Sequence, residues 1–134
     1  MAEAEMKKVL IVEDNQDNLK LISYALRRAG YALVTATSGE DGLELAHAEQ
    51  PDLILMDINL PVIDGLETTR RIRQSDIDGR LPIIAITSFA MVGDRERILA
   101  AGCNGYIEKP IDPLVIVDQI HSIIERWDHE NTDC

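Results

Sequence analysis

The stretch "LILMDINLPVIDG", residues 53–65, decides how the rest of the chain is read. Leu53, Ile54, Leu55 and Met56 form an unbroken apolar run, the pattern of a strand covered on both faces. The run ends on Asp57, with no lysine or arginine within twelve positions on either side. Pro61 and Gly65 then restrict and turn the backbone. A buried strand that terminates on a carboxylate implies that this end faces a polar site, because an unpaired charge inside the core would be costly.

Outward from this strand, short apolar runs alternate with helical spacing. Lys8 to Val12 predicts a first strand, and Leu19, Ile22 and Leu26 a helix that stops at Gly30. Ala32 to Thr37 is a second strand, and Ser38-Gly39-Glu40-Asp41 resembles a capping box opening a helix through Leu43 and Ala46. Asp64 caps a helix carrying Leu66 and Ile72. Pro82 to Ile86 is a fourth strand, Asp94 to Ala101 a fourth helix and Gly105 to Glu108 a fifth strand. Pro113 marks the first turn of a last helix, with Leu114, Val117, Ile120, Ile124 and Trp127 expected on one face. Strands alternating with helices predict an α/β fold of the flavodoxin-like (βα)5 kind. It is a three-layer sandwich with a parallel five-stranded sheet between helices.

In such a sheet all strand ends lie on one edge, where α/β proteins place their sites. Strand one ends in Glu13 and Asp14, strand three in Asp57, strand four in Thr87, and strand five leads to Lys109. The second strand ends in Thr37 and Ser38 and adds no charge, which fits the order 2-1-3-4-5. Each residue alone has an ordinary explanation. Asp14 would serve as a helix cap, Thr87 as a turn residue and Lys109 as a solvated cation. Their convergence from four strands favours a common site. Like charges about 4 Å apart repel by about 1–4 kcal/mol. Three carboxylates beside one ammonium therefore call either for a protonated carboxyl or for a hard divalent cation. Mg2+, with Mn2+ as the alternative, suits Glu13, Asp14, Asp57 and the backbone carbonyl of Asn59. A nucleophilic carboxylate flanked by a cation, a hydroxyl and an ammonium is what phosphoryl transfer needs.

Composition sets bounds. The chain has 134 residues, 46% hydrophobic and 4% aromatic, with a net charge of −11. The length predicts a single domain, with a core over about 7–127 and polar tails at 1–6 and 128–134. The acidity argues against binding nucleic acid or an anionic membrane. No apolar run nears the roughly 20 residues of a membrane span. Cys103 and Cys134 read as free thiols, and the protein as cytoplasmic. His47, His121 and His129 have no metal-ligand spacing with the cysteines.

The motifs "VLIVEDN", "LILMDINLPVIDGLE", "PIIAITSFAM" and "AAGCNGYIEKPI" together resemble the receiver domain of two-component response regulators, from about Lys7 to Trp127. The resemblance implies that Asp57 accepts the phosphoryl group, that Glu13 and Asp14 hold Mg2+, and that Thr87 and Lys109 contact the phosphate. It implies Tyr106 as an aromatic switch beside Thr87, and a cis Lys109-Pro110 bond. Expected partners are a histidine kinase or a histidine phosphotransfer protein, then a downstream target on the face of helix 4, strand 5 and helix 5. The expected state is a monomer or a weak phosphorylation-dependent dimer, acting as a switch rather than an enzyme in the ordinary sense. The stretches "EDNQDNLKL" and "FAMVGDRERILAAGCNGYIEKP" look most like stand-alone cell-cycle-type regulators and the receiver modules of hybrid histidine kinases. The start at Met1 and the polar tail favour the stand-alone form over a module split from a hybrid kinase or a phosphorelay intermediate. A haloacid-dehalogenase-like phosphatase would want an acid where Asn59 stands. A flavodoxin would want a phosphate loop and flanking aromatics, and neither is present.

Overall fold

A computed structural model describes residues 7–76, 79–88 and 92–132, without the side chains of 92 and 128–132. Five parallel strands, β1 (Lys8–Val12), β2 (Ala32–Ala36), β3 (Leu53–Asp57), β4 (Ile83–Thr87) and β5 (Gly105–Glu108), line up in the order β2-β1-β3-β4-β5. The helices are α1 (Gln16–Arg28), α2 (Gly39–Glu49), α3 (Gly65–Ser75), α4 (Val92–Ala101) and α5 (Ile116–Thr132). This is the predicted flavodoxin-like sandwich in the predicted strand order.

The alternation of side chains along the strands divides the core in two. Leu10, Val12, Ile54, Met56, Ile83 and Ala85 pack with Leu66, Ile72 and Ile98 of α3 and α4. Val9, Ile11, Leu53, Leu55, Ile84 and Ile86 pack with Ile22 and Leu26 of α1 and with Ile116 and Ile120 of α5. Every residue of the central strands β3 and β4 is buried, as the continuous apolar runs require.

Side-chain caps set most helix starts. Ser38 Oγ accepts from the Asp41 N–H at 3.1 Å, and Asp64 Oδ1 from the Glu67 N–H at 2.8 Å. At the end of α1, Gly30 takes φ +96°, so that its N–H reaches the Arg27 carbonyl and the Tyr31 N–H the Leu26 carbonyl.

Several boundaries differ from the sequence reading. β2 stops at Ala36, one residue short of Thr37, and β4 starts at Ile83 because Pro82 has no N–H for the ladder. The last helix begins at Ile116, after a turn over 113–115 in which Val115 N–H bonds to the Asp112 carbonyl. Leu114, expected on the buried face, is 89% exposed, and Ile116 takes the inward place. The N-cap of α1 is Asn15, whose Oδ1 accepts from the Asn18 N–H at 2.9 Å, so the ordinary cap explanation does not apply to Asp14. Asp14 is thereby left at the strand edge. The expectations for Cys134 and for the His129 side chain lie outside the described residues.

Candidate functional site

The β3–α3 turn explains why the most apolar strand ends on an acid. β3 carries Asp57 to the carboxyl edge of the sheet, where its side chain is 1% exposed. The chain then doubles back so closely that the Gly65 N–H bonds to the Ile58 carbonyl at 2.9 Å. A Cβ on Gly65 would lie 2.2 Å from the Asp57 carbonyl oxygen, so no other residue fits there. Within the same turn Val62 is held at φ +69° with its side chain 91% exposed, a costly conformation for a β-branched residue. The Asn59 N–H donates back to Asp57 Oδ1 at 3.1 Å, fixing the carboxylate's rotamer.

The other residues arrive as the strand order demands. Val12 of β1 pairs with Met56 of β3, which delivers Glu13 and Asp14 beside Asp57. Asp57 pairs with Ile86, so Thr87 ends the neighbouring strand one step further on, buried. Thr87 pairs with Glu108, and the Thr87 carbonyl accepts from the Lys109 N–H at 2.8 Å. Lys109 precedes a cis peptide bond to Pro110. Its Nζ donates to Asp57 Oδ1 at 3.1 Å and lies 4.0 Å from Glu13 Oε1. Tyr106 is half-buried in β5 against the α3–α4 side of the core.

The charge balance is uneven. Oxygens of Glu13, Asp14 and Asp57 lie within 4.8 Å of one another, with one ammonium among them. Glu13 is fully buried. Its Oε2 accepts the Asn15 N–H at 3.1 Å, but its Oε1 has no hydrogen-bond partner among the described residues. Burial, and secondarily the neighbouring Asp57, push the Glu13 carboxyl up from 4.5 to about 7, against the opposing pull of the Asn15 N–H and Lys109. A buried carboxylate oxygen without a donor, facing two further carboxylates, is a donor set for a hard cation. Glu13, Asp14 and Asp57 therefore fit Mg2+ in both chemistry and spacing.

The sequence reading missed one element of the site, the Asn15 N–H that anchors Glu13. An Asn directly after two acids was its available signal. It also missed the support provided by Arg73, whose bonds to the Gly102 and Leu81 carbonyls, Asp76 and Asn104 Oδ1 fix the opposite end of β4. An arginine in an exposed-looking helix face gives no sequence signal for that role.

Residues 9–121 match the family described as the response regulator receiver domain. The chain belongs to that family. The receiver is 44% identical over 118 residues to the polar-differentiation response regulators DivK of Brucella anthropi and Brucella ovis, covering 88% of this chain and 96% of those proteins. Among solved structures, the chemotaxis response regulator CheY4 of Vibrio cholerae superimposes with a TM-score of 0.84 at 28% identity, covering 89% of this chain and 99% of that one. The receiver domain of the sensor histidine kinase PA1611 from Pseudomonas aeruginosa has a TM-score of 0.78 at 39% identity, covering 92% of this chain and 98% of its own. That structure is described with a magnesium ion coordinated in its active-site cleft. Response regulators of this family interact with histidine kinases or phosphotransfer proteins. No helix among the described residues is long and apolar enough to cross a membrane.

Proposed function

We propose that this receiver is a cytoplasmic phosphoacceptor switch, with Asp57 taking a phosphoryl group from a histidine kinase or phosphotransfer protein. The observation that carries the reading is the orphaned Glu13 Oε1 inside a three-carboxylate cluster next to a lysine-bound Asp57. Glu13, Asp14, Asp57 and the Asn59 carbonyl would hold Mg2+, which supplies positive charge for the phosphoryl oxygens.

Asp57 is suited to be the nucleophile because one oxygen, Oδ1, is occupied by Lys109 and the Asn59 N–H, which directs attack through the other. The new O–P bond forms as the donor's P–N bond breaks, and the departing imidazole takes up a proton. Lys109, already at hydrogen-bond distance, shields the growing negative charge. The Thr87 hydroxyl, at the adjacent strand end, then bonds the phosphoryl oxygens, and Tyr106 follows it inward. The phosphoryl group replaces a charge of −1 by roughly −1.5 to −2. Swinging an equilibrium from 1:99 to 99:1 requires about 5.5 kcal/mol. Two or three charge-assisted hydrogen bonds at roughly 1.5–3 kcal/mol each supply it. The face of α4, β5 and α5, where Leu99, Tyr106 and Val115 line an open cleft, transmits the change to a target.

Incubation with acetyl phosphate and Mg2+ tests the reading. The wild type gains an acid- and base-labile phosphoryl group, and Asp57→Asn gains none. Steady turnover of a phosphomonoester, or labelling that survives Asp57→Asn, overturns it.

A further inference from the structure

We propose that the groove between α1 and the edge strand β2 binds an extended, acidic protein segment. The groove has a volume of about 560 Å3 and is lined by Leu19, Lys20, Ser23, Tyr24, Arg27, Arg28 and Thr35. Three cations and no acid line it, on a chain that carries only 13 lysines and arginines against 24 acids. Arg27 and Arg28 stand in the last turn of α1, where they complement the helix dipole, but Lys20 lies two turns earlier and has no such role. None of the three forms an ion pair among the described residues, whereas Glu67 holds two arginines and Asp76 and Asp94 one each.

Two further features select an extended protein segment over a free anion. Tyr24 is 59% exposed, with Arg28 stacked 5.7 Å from its ring centre, and offers an apolar plate between the charges. Among the described residues β2 is hydrogen-bonded to β1 alone, which leaves its outer edge able to accept another strand. Lys20 and Arg28 are eight residues apart on the helix, about 12 Å at 1.5 Å per residue. An extended chain covers that distance in about four residues at roughly 3.3 Å each. The matching ligand therefore has acids at alternate positions, with apolar residues between them for Tyr24 and the strand edge. The site lies on the flank of α1 rather than at the acidic cluster, so occupancy does not depend on Asp57.

The test uses the full chain and a fluorescein-labelled peptide of alternating Glu and Val, read by anisotropy. Binding is expected for this peptide and not for its Gln/Val counterpart, and is expected to fall steeply when ionic strength rises from about 0.1 M to about 1 M, as the Debye length shrinks from about 10 Å to about 3 Å. The variant Lys20→Gln/Arg27→Gln/Arg28→Gln should bind at least about tenfold more weakly, as for loss of complementary interfacial charge. It should keep the wild-type circular dichroism and acetyl phosphate labelling, which separates this site from the Asp57 reaction. Amide shifts on peptide addition should fall on residues 32–36 as well as on α1. Equal binding of the Gln/Val peptide, undiminished binding by the variant, or tighter binding of polyuridylate than of the acidic peptide overturns the proposal.

Discussion

Replacing Glu13 by glutamine should stabilise the metal-free protein, although it alters a fully buried residue at the end of a central strand. The Glu13 carboxyl sits near 7 instead of 4.5 because burial and Asp57 oppose its charge. That difference corresponds to roughly 3 kcal/mol of unfavourable interaction once the group is ionised in both folded and unfolded chains. The folded state binds the proton more tightly, so the Glu13 contribution to stability is full below about pH 4.5 and is lost as pH rises through about 7. Glutamine has the same shape, does not titrate, and presents an NH2 group to the Asp57 carboxylate. Some of the gain is offset because the Asn15 N–H loses a charged acceptor. In magnesium-free buffer at about pH 8, Glu13→Gln should therefore raise the unfolding free energy by about 1–3 kcal/mol, a shift of several degrees in Tm. The advantage should shrink toward pH 5. Added Mg2+ should reverse the ranking, because a ligand that binds only the folded wild type stabilises it by mass action. The assay is thermal and urea unfolding across pH 5–8, each with EDTA or Mg2+. A variant less stable than wild type throughout, or a difference that does not change with pH, would refute the reasoning.

Three other perturbations test the supporting structure. Gly65→Ala should cost more than about 3 kcal/mol by urea unfolding, since the added Cβ meets the Asp57 carbonyl oxygen at 2.2 Å and the close turn cannot yield. Arg73→Ala removes a guanidinium that bonds two backbone carbonyls, Asp76 and Asn104, and should destabilise by about 2–4 kcal/mol while leaving Mg2+ affinity within about twofold. Cys103 is 5% exposed and burial pushes its thiol up to about 11, so iodoacetamide at neutral pH should leave it unmodified until denaturant is added, as read by peptide mass spectrometry.

Much of the candidate site was legible because Glu13, Asp57 and Thr87 directly follow apolar runs, and Asp14 and Lys109 lie one residue further on. In a parallel sheet that position alone brings Glu13, Asp14, Asp57, Thr87 and Lys109 to one edge. The order β2-β1-β3-β4-β5 could be inferred because the second strand, ending in Thr37 and Ser38, adds nothing to that group and so suits an edge position. Local competition was not legible. Asp14 and Asn15 are both good caps, and the choice of Asn15 depends on Glu13 being drawn inward, where its Oε2 meets the Asn15 N–H. The start of α5 was misplaced because Pro113 suits a helical first turn equally well as the turn that precedes Ile116. Long-range bonds of Arg73 to Gly102 and Asn104 connect segments about 30 positions apart, beyond the reach of any periodicity.

The most direct test of the account is to locate the phosphoryl group on the intact protein by mass spectrometry after exposure to acetyl phosphate, with Mg2+ or with EDTA. The account predicts modification within residues 53–65, on Asp57, when Mg2+ is present and essentially none in EDTA. Modification on another residue, or equal modification of Asp57 without the cation, would contradict it.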